Sequence, residues 1–215
     1  MKVFVTGSAG GIGRAIAEKF LQEGHEVFGL DIKESGIDHP AYTHISEDIR
    51  TVPTAGLPDA EIVIHCAGTQ EDKDAIEVNL DATIRLAEQL SKGPSLRSVL
   101  FIASASARTG AEFPRYAASK GGLVAYMKNQ ALALAGRGIT VNSISPGGVI
   151  TASNRHILES EELYAAVKAE TLLGKWAGPE EIADLAYFLT VINRSITGED
   201  ILIDNGEMLK SNFIW

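Results

Sequence analysis

Tyr116 and Lys120, four positions apart, are the pair in this 215-residue chain best placed to do chemistry. The run Tyr116-Ala117-Ala118-Ser119-Lys120 reads as helical, and residues i and i+4 share a helix face, which sets the ammonium beside the phenol. A cation there favours phenolate, the property a tyrosine needs to serve as an acid–base near neutral pH. Taken alone, the same spacing also describes an exposed helical face. Its meaning therefore rests on what surrounds it. Upstream, the apolar run 99–103 leads into Ser104-Ala105-Ser106, which places hydroxyls at the carboxyl end of a central strand, where open α/β sheets bind ligands. A serine there can hydrogen-bond a substrate oxygen as charge develops on it, and both Ser104 and Ser106 fit.

A second pattern points to a nucleotide. Thr6-Gly7-Ser8-Ala9-Gly10-Gly11-Ile12-Gly13 follows a predicted strand and opens a predicted helix. Glycines permit the tight turn and let the backbone approach a diphosphate, while the helix start offers free N–H groups and partial positive charge. Asp31 closes the second apolar run, 18 positions beyond Gly13, where a carboxylate accepts hydrogen bonds from adenosine ribose hydroxyls and repels a 2′-phosphate. Lys33 and Arg14 are the only nearby cations. NAD(H) is thus the preferred cofactor, with NADP(H) the alternative.

These residues need a sheet to hold them. Short β-branched runs at 2–6, 26–31, 41–45, 61–65, 98–104, 138–144 and 200–203 alternate with helical stretches at 12–23, 74–91, 114–135, 159–170 and 179–192. That alternation predicts an α/β fold on a parallel sheet. The first helix has the 3.6-residue period in Ile12, Ile16, Phe20 and Leu21, and Pro179-Glu180-Glu181 is a good helix start. Val99-Leu100-Phe101-Ile102 is apolar on both faces, as a sheet covered on both sides requires. The stretch 51–60, with Pro53, Gly56 and Pro58, reads as a surface connection where such a fold normally carries a helix. One domain over 1–215 is expected.

Composition narrows the functional classes. A net charge of −9 with scattered basic residues argues against a nucleic-acid surface. No apolar run reaches the ~18–20 residues needed to cross a bilayer, and the first residues form a strand rather than a signal peptide, so a cytoplasmic protein without a membrane partner is expected. Cys66 is the single cysteine and follows a buried-looking strand; it and the five histidines show no metal-ligand spacing.

Together, these motifs resemble the short-chain dehydrogenase/reductase family, in the right order over nearly the whole chain. The glycine turn matches the family's Thr-Gly-x-x-x-Gly-x-Gly at Thr6, Gly7, Gly11 and Gly13. The family's serine, tyrosine and lysine fall on Ser104, Tyr116 and Lys120, and its asparagine on Asn79. The resemblance implies a doubly wound Rossmann-type sheet of about seven strands in three layers. It implies a cofactor held by Gly7, Ser8, Gly11, Ile12, Gly13, Asp31, Asp48, Ala67, Gly68, Tyr116, Lys120, Pro146, Gly147, Val149 and Thr151, with Asp48 near the adenine. It also implies hydride transfer between nicotinamide and a carbonyl or alcohol, with Asn79 relaying protons from Lys120 to solvent. A homodimer or homotetramer follows from the same likeness, as does a substrate lid over 151–175. Arg155 and His156 in that lid read either as a site for an anionic substrate or as a solvated loop, and Trp176 is expected to pack near the substrate.

The chain departs from the family in places. Asn-Asn-Ala-Gly becomes His65-Cys66-Ala67-Gly68, and the terminal Asp-Gly-Gly becomes Asp204-Asn205-Gly206. Ser104 precedes Tyr116 by 12 positions, one fewer than the family's commonest spacing, which keeps Ser106 as a rival. The chain is also shorter than is usual, around 50–60 and 69–76. Two other classes remain: a nucleotide-binding regulator without turnover, which would normally lose the tyrosine or lysine, and an epimerase or dehydratase, which would normally carry a further C-terminal domain.

Overall fold

β-Branched runs with apolar residues on both faces need cover above and below, and the fold supplies it. The computed structural model describes residues 1–110 and 113–209. Among these, strands β1 (Lys2–Thr6), β2 (Glu26–Asp31), β3 (Tyr42–Ser46), β4 (Ile62–His65), β5 (Ser98–Ile102), β6 (Thr140–Pro146) and β7 (Asp200–Ile203) form one sheet. Its order is β3-β2-β1-β4-β5-β6-β7, and every pairing is parallel. The direction of winding reverses between β1 and β4, which creates a crevice at the carboxyl ends of the strands.

Neighbouring residues of β1 divide between the two layers. Val3 and Val5 face a core built with Ile16, Ala17 and Phe20 of α1 (Gly11–Gln22) and Ile182, Ala183 and Ala186 of α7 (Pro179–Tyr187). Phe4 faces the other core, with Leu86 and Ala87 of α2 (Thr83–Leu90) and Leu123, Met127 and Ala131 of α4 (Pro114–Leu134). Most of these side chains are fully buried, each contributing ~1.5–3 kcal/mol when large and apolar. Short helices α3 (Ser106–Thr109), α5 (Arg155–Leu158) and α6 (Glu161–Ala169) complete the set.

The strand boundaries expected from the sequence fall within two residues of those observed. The helices differ more. The stretch expected as one helix over 74–91 is a π-helical segment, Ile76–Ala82, leading into α2. Likewise α7 runs on into a π segment, Phe188–Ile192. The connection 51–60 has no helix, as expected, and neither has the β2–β3 connection, 32–41. Ile49, Val52 and Ala60 from irregular chain cover the sheet instead, with Leu57 packed against them. Arg85 fastens this cover, donating to the carbonyls of Ile49 (2.6 Å) and Val52 (3.1 Å).

Candidate active site

The end of β1 is tied to the end of β4 by one hydroxyl: Thr6 Oγ1 accepts from the N–H groups of Cys66 and Ala67, both at 3.0 Å. Two glycines of the turn are required by packing. Gly7 has φ +72°, and a Cβ there would lie 2.8 Å from the Ala67 backbone. A Cβ on Gly13 would lie 2.0 Å from the Gly7 carbonyl oxygen. Gly10 and Gly11 are different: a Cβ at Gly10 meets nothing within 4 Å, and one at Gly11 meets only Thr151, at 3.5 Å. No side chain caps α1. The start of α1 therefore faces open space bounded by Thr151, with room and N–H groups for an anionic diphosphate. Ile12 is half-buried beside it.

Asp31 lies across this turn. Its Oδ2 accepts from Ala9 N–H (3.0 Å) and its Oδ1 from Lys33 N–H (2.9 Å), and a carboxylate with about four acceptor positions keeps capacity for a diol. Arg14, one of its two nearby cations, is paired along the helix with Glu18 at 2.8 Å. Ser8 and Asp48 have their side chains engaged elsewhere. The Ser8 hydroxyl is fully buried and bonded to Tyr42 Oη at 3.0 Å, which leaves only its backbone toward the turn. Gly29 makes room for that pair, since a Cβ there would lie 2.3 Å from both oxygens. Sequence reading did not single out Tyr42 or Gly29; their partnership depends on β3 lying beside β2. Asp48 is gripped by Arg50, with Nη2 2.6 Å from Oδ2, and that hydrogen-bonded guanidinium holds the carboxyl below the usual carboxylate range.

On the other side of the crevice, Asn79 sits buried in the π segment, a distortion often found at functional sites. Its Oδ1 accepts from Thr69 N–H (2.7 Å), and its Nδ2 donates to Thr69 O (3.0 Å) and Ser119 Oγ (3.1 Å). Ser119 Oγ in turn donates to the Tyr116 carbonyl at 2.7 Å. Lys120 is 5% exposed, its Nζ 5.8 Å from the Tyr116 ring centroid and 2.9 Å from the Ile102 carbonyl, to which it donates. Two ammonium protons remain for other acceptors. Gly68 closes against this group: a Cβ there would lie 3.0 Å from Asn79 Oδ1 and 3.5 Å from Lys120 Nζ. Asn79, Gly68, Tyr116 and Lys120 are thus brought together.

Ser104 lies two residues beyond Ile102, the end of β5, whose carbonyl holds Lys120. Its Oγ accepts from Ser106 N–H and bonds Ser106 Oγ, both at 3.2 Å, so the two rival serines form one pair at the start of α3. Pro146 O accepts from Ala105 N–H at 2.8 Å, which fixes the serine turn to the end of β6. Beyond Pro146, Gly147 packs on Asp204, while Gly148 lies under Trp176, where a Cβ would meet the indole at 2.2 Å. Val149 pairs with Ala177 in an isolated bridge, and Thr151 reaches the glycine turn. Arg155 is exposed and forms a helical ion pair with Glu159 at 3.6 Å.

Cys66 is partly buried and His65 fully buried at the end of β4. Burial pushes the Cys66 thiol up to about 12, and pushes His65, which stacks on Phe101 with ring centroids 4.9 Å apart, down to about 3. Among the described residues, no three His, Cys, Asp or Glu side chains gather as a metal site would need. No helix there is long and apolar enough to cross a membrane.

Known proteins resemble this chain in sequence and in fold. A family model described as enoyl-(acyl carrier protein) reductase matches residues 51–207. The 3-oxoacyl-[acyl-carrier-protein] reductase FabG of Salmonella typhimurium is 30% identical, over 94% of this chain and 95% of its own length. The L-rhamnose 1-dehydrogenase (NADP(+)) of Thermoplasma acidophilum is 26% identical over 95% of each. The fold superposes on a 4-hydroxyisoleucine dehydrogenase mutant complexed with NADH and succinate at a TM-score of 0.89, with 24% identity over 99% of this chain and 100% of that one.

Proposed function

The chain belongs to the short-chain dehydrogenase/reductase family, and from that premise we propose that it is an NAD(H)-dependent oxidoreductase acting between a carbonyl and a secondary alcohol, with Tyr116 as acid–base. The observation that carries this reading is the buried Lys120 ammonium, 5.8 Å from the Tyr116 ring and next to Asn79 and Gly68, at the carboxyl end of β5. A lysine solvated on a helix surface would serve no such purpose.

The residues present fit a dinucleotide. The open space over Gly10 and Gly11, the uncapped start of α1 and Thr151 would hold the diphosphate, and the Asp31 carboxylate the adenosine ribose. Gly7 and Gly13 shape that cradle, with the backbone of Ser8, Ile12, Ala67 and Val149 along its length. The two free protons of Lys120 suit a second ribose, and Gly68, Pro146 and Gly147 would border the reactive end. When bound, the nicotinamide supplies or accepts hydride. Asp48, turned to Arg50, keeps only its backbone for the adenine side.

The chain's own residues do the rest. Ser104, or its partner Ser106, and Tyr116 would share the substrate oxygen; Tyr116 Oη donates its proton in reduction and takes it back in oxidation. Lys120 stabilises the negative charge left on the phenol. With both amide protons of the Asn79 side chain used by Thr69 O and Ser119 Oγ, that side chain orients the Tyr116 helix, and a proton path to solvent would use another atom. Most of the rate would come from positioning and from stabilising the developing alkoxide. A homodimer or homotetramer that pairs the helices around 75–92 and 114–135 between subunits belongs to the same reading, and Leu132 on α4 is an exposed apolar side chain there.

The test is binding followed by turnover. Fluorescence titration should show NADH binding at least tenfold tighter than NADPH. Tyr116→Phe should abolish carbonyl reduction and leave NADH affinity within a few-fold. Retained turnover in that variant would remove Tyr116 from its role.

A further inference from the structure

We propose that Asp72 is a positioning residue for Tyr116, an inference that rests on the reading of Tyr116 as the acid–base. The residue before α4, Phe113, stands in the left-handed region (φ +38°, ψ 70°) and provides no side-chain cap, although the N–H groups of a first helical turn need acceptors. Asp72, 43 residues upstream of Arg115, provides one. Its Oδ1 accepts from Arg115 N–H at 2.8 Å and from Tyr116 N–H at 3.2 Å. A carboxylate at that end of a helix also meets the favourable end of the helix dipole, and its bonds are charge-assisted.

The Tyr116 backbone is then held on both sides. Asp72 takes its N–H, and Ser119 Oγ, itself held by Asn79, donates to its carbonyl. Both arms return to one segment, because Asn79 also clamps Thr69 through two hydrogen bonds, and Glu71 N–H bonds Thr69 Oγ1 at 3.1 Å. The chain is short around 69–76, and there the segment carrying Asp72 passes the start of α4 on its way from the end of β4 to the π segment. A phenol oxygen sits roughly 6.5 Å from its Cα, so a 10° tilt of the first turn moves it about 1 Å, a misplacement worth about 10²-fold in rate. Asp72 touches no reacting atom; it acts through the peptide of Tyr116.

The experiment compares Asp72→Ala and Asp72→Asn with wild type, once a carbonyl substrate has been found. Asp72→Ala should lower kcat by about 10–100-fold with NADH affinity unchanged within threefold, and amide exchange at Arg115 and Tyr116 should quicken at least tenfold. Asp72→Asn keeps an acceptor oxygen and should recover most of kcat. Thermal melts confirm that each variant is folded at the assay temperature; should Asp72→Ala fail there, the Asn variant and a Glu variant carry the comparison, with Glu reaching the same amides imperfectly and falling between. Turnover in Asp72→Ala within twofold of wild type, an Asn variant no better than Ala, or unchanged exchange at Tyr116 would overturn this inference and leave the Tyr116 reading standing. Tyr116→Phe retaining full turnover would overturn both.

Discussion

Asp31 and Asp48 are two carboxylates near the adenosine end, and the fold uses them differently. Asp31 spends its bonds on the backbone of Ala9 and Lys33 and keeps acceptor capacity at the rim of the glycine turn. Asp48 is closed by a two-pronged guanidinium two residues away, which holds its carboxyl in the charged form. Asp31→Ala should therefore weaken NADH by about tenfold, the loss of charge-assisted hydrogen bonds, and narrow the gap to NADPH; Asp48→Ala should change NADH affinity less than threefold. Isothermal titration of the two variants with both nucleotides separates these outcomes. Asp31 was legible because its distance from the glycines is set by one helix and one strand. The inward turn of Ser8 was not, because its partner Tyr42 comes from a strand whose register no local pattern specifies. Nor did spacing alone separate Ser104 from Ser106, and the structure bonds them to each other.

At the scale of elements, the shortened crossovers are the departure with consequences. Helices are replaced at 32–41 and 47–61 by irregular chain, and the sheet face there is covered by single side chains and one arginine. Pro53, Gly56 and Pro58 announced the second gap. No helical stretch was expected in the first either, where Gly36 and Pro40 stand. The π segment around Asn79 was also invisible, since π and α turns have the same apolar pattern at this length. Arg85 is the fastening that replaces a packed helix, so Arg85→Ala should cost about 1–3 kcal/mol and lower the urea midpoint, with two carbonyls left unmatched. Gly13→Ala is a harsher change: its methyl would land 2.0 Å from a backbone oxygen, and the expected outcome is insoluble or unfolded protein, read by circular dichroism.

The described residues form one parallel sheet between two apolar layers, a class readable in the sequence because strands apolar on both faces alternate with helical periods. What composition could not show is that His65 would take a place in one layer, stacked on Phe101 with both ring nitrogens lacking a protein partner. Burial lowers it from 6.5 to about 3. The native protein then refuses a proton that the unfolded chain accepts, so the stability tied to this group is complete above pH 6.5 and is lost as pH falls toward 3. The loss is on the order of 4–5 kcal/mol at the acid end. Urea melts of wild type and His65→Leu from pH 7.5 to pH 4 should diverge on that side, wild type losing stability the more steeply; parallel curves would mean that the carboxylates alone set the acid limit. The proposed function stands on hydride transfer with Tyr116 as the proton donor. The most direct measurement follows deuterium from NADH labelled at nicotinamide C4 into a panel of carbonyl compounds, with wild type and Tyr116→Phe side by side. Hydride transfer with Tyr116 as donor puts label on the carbinol carbon with the wild type and none with the variant. Equal labelling by both would contradict it.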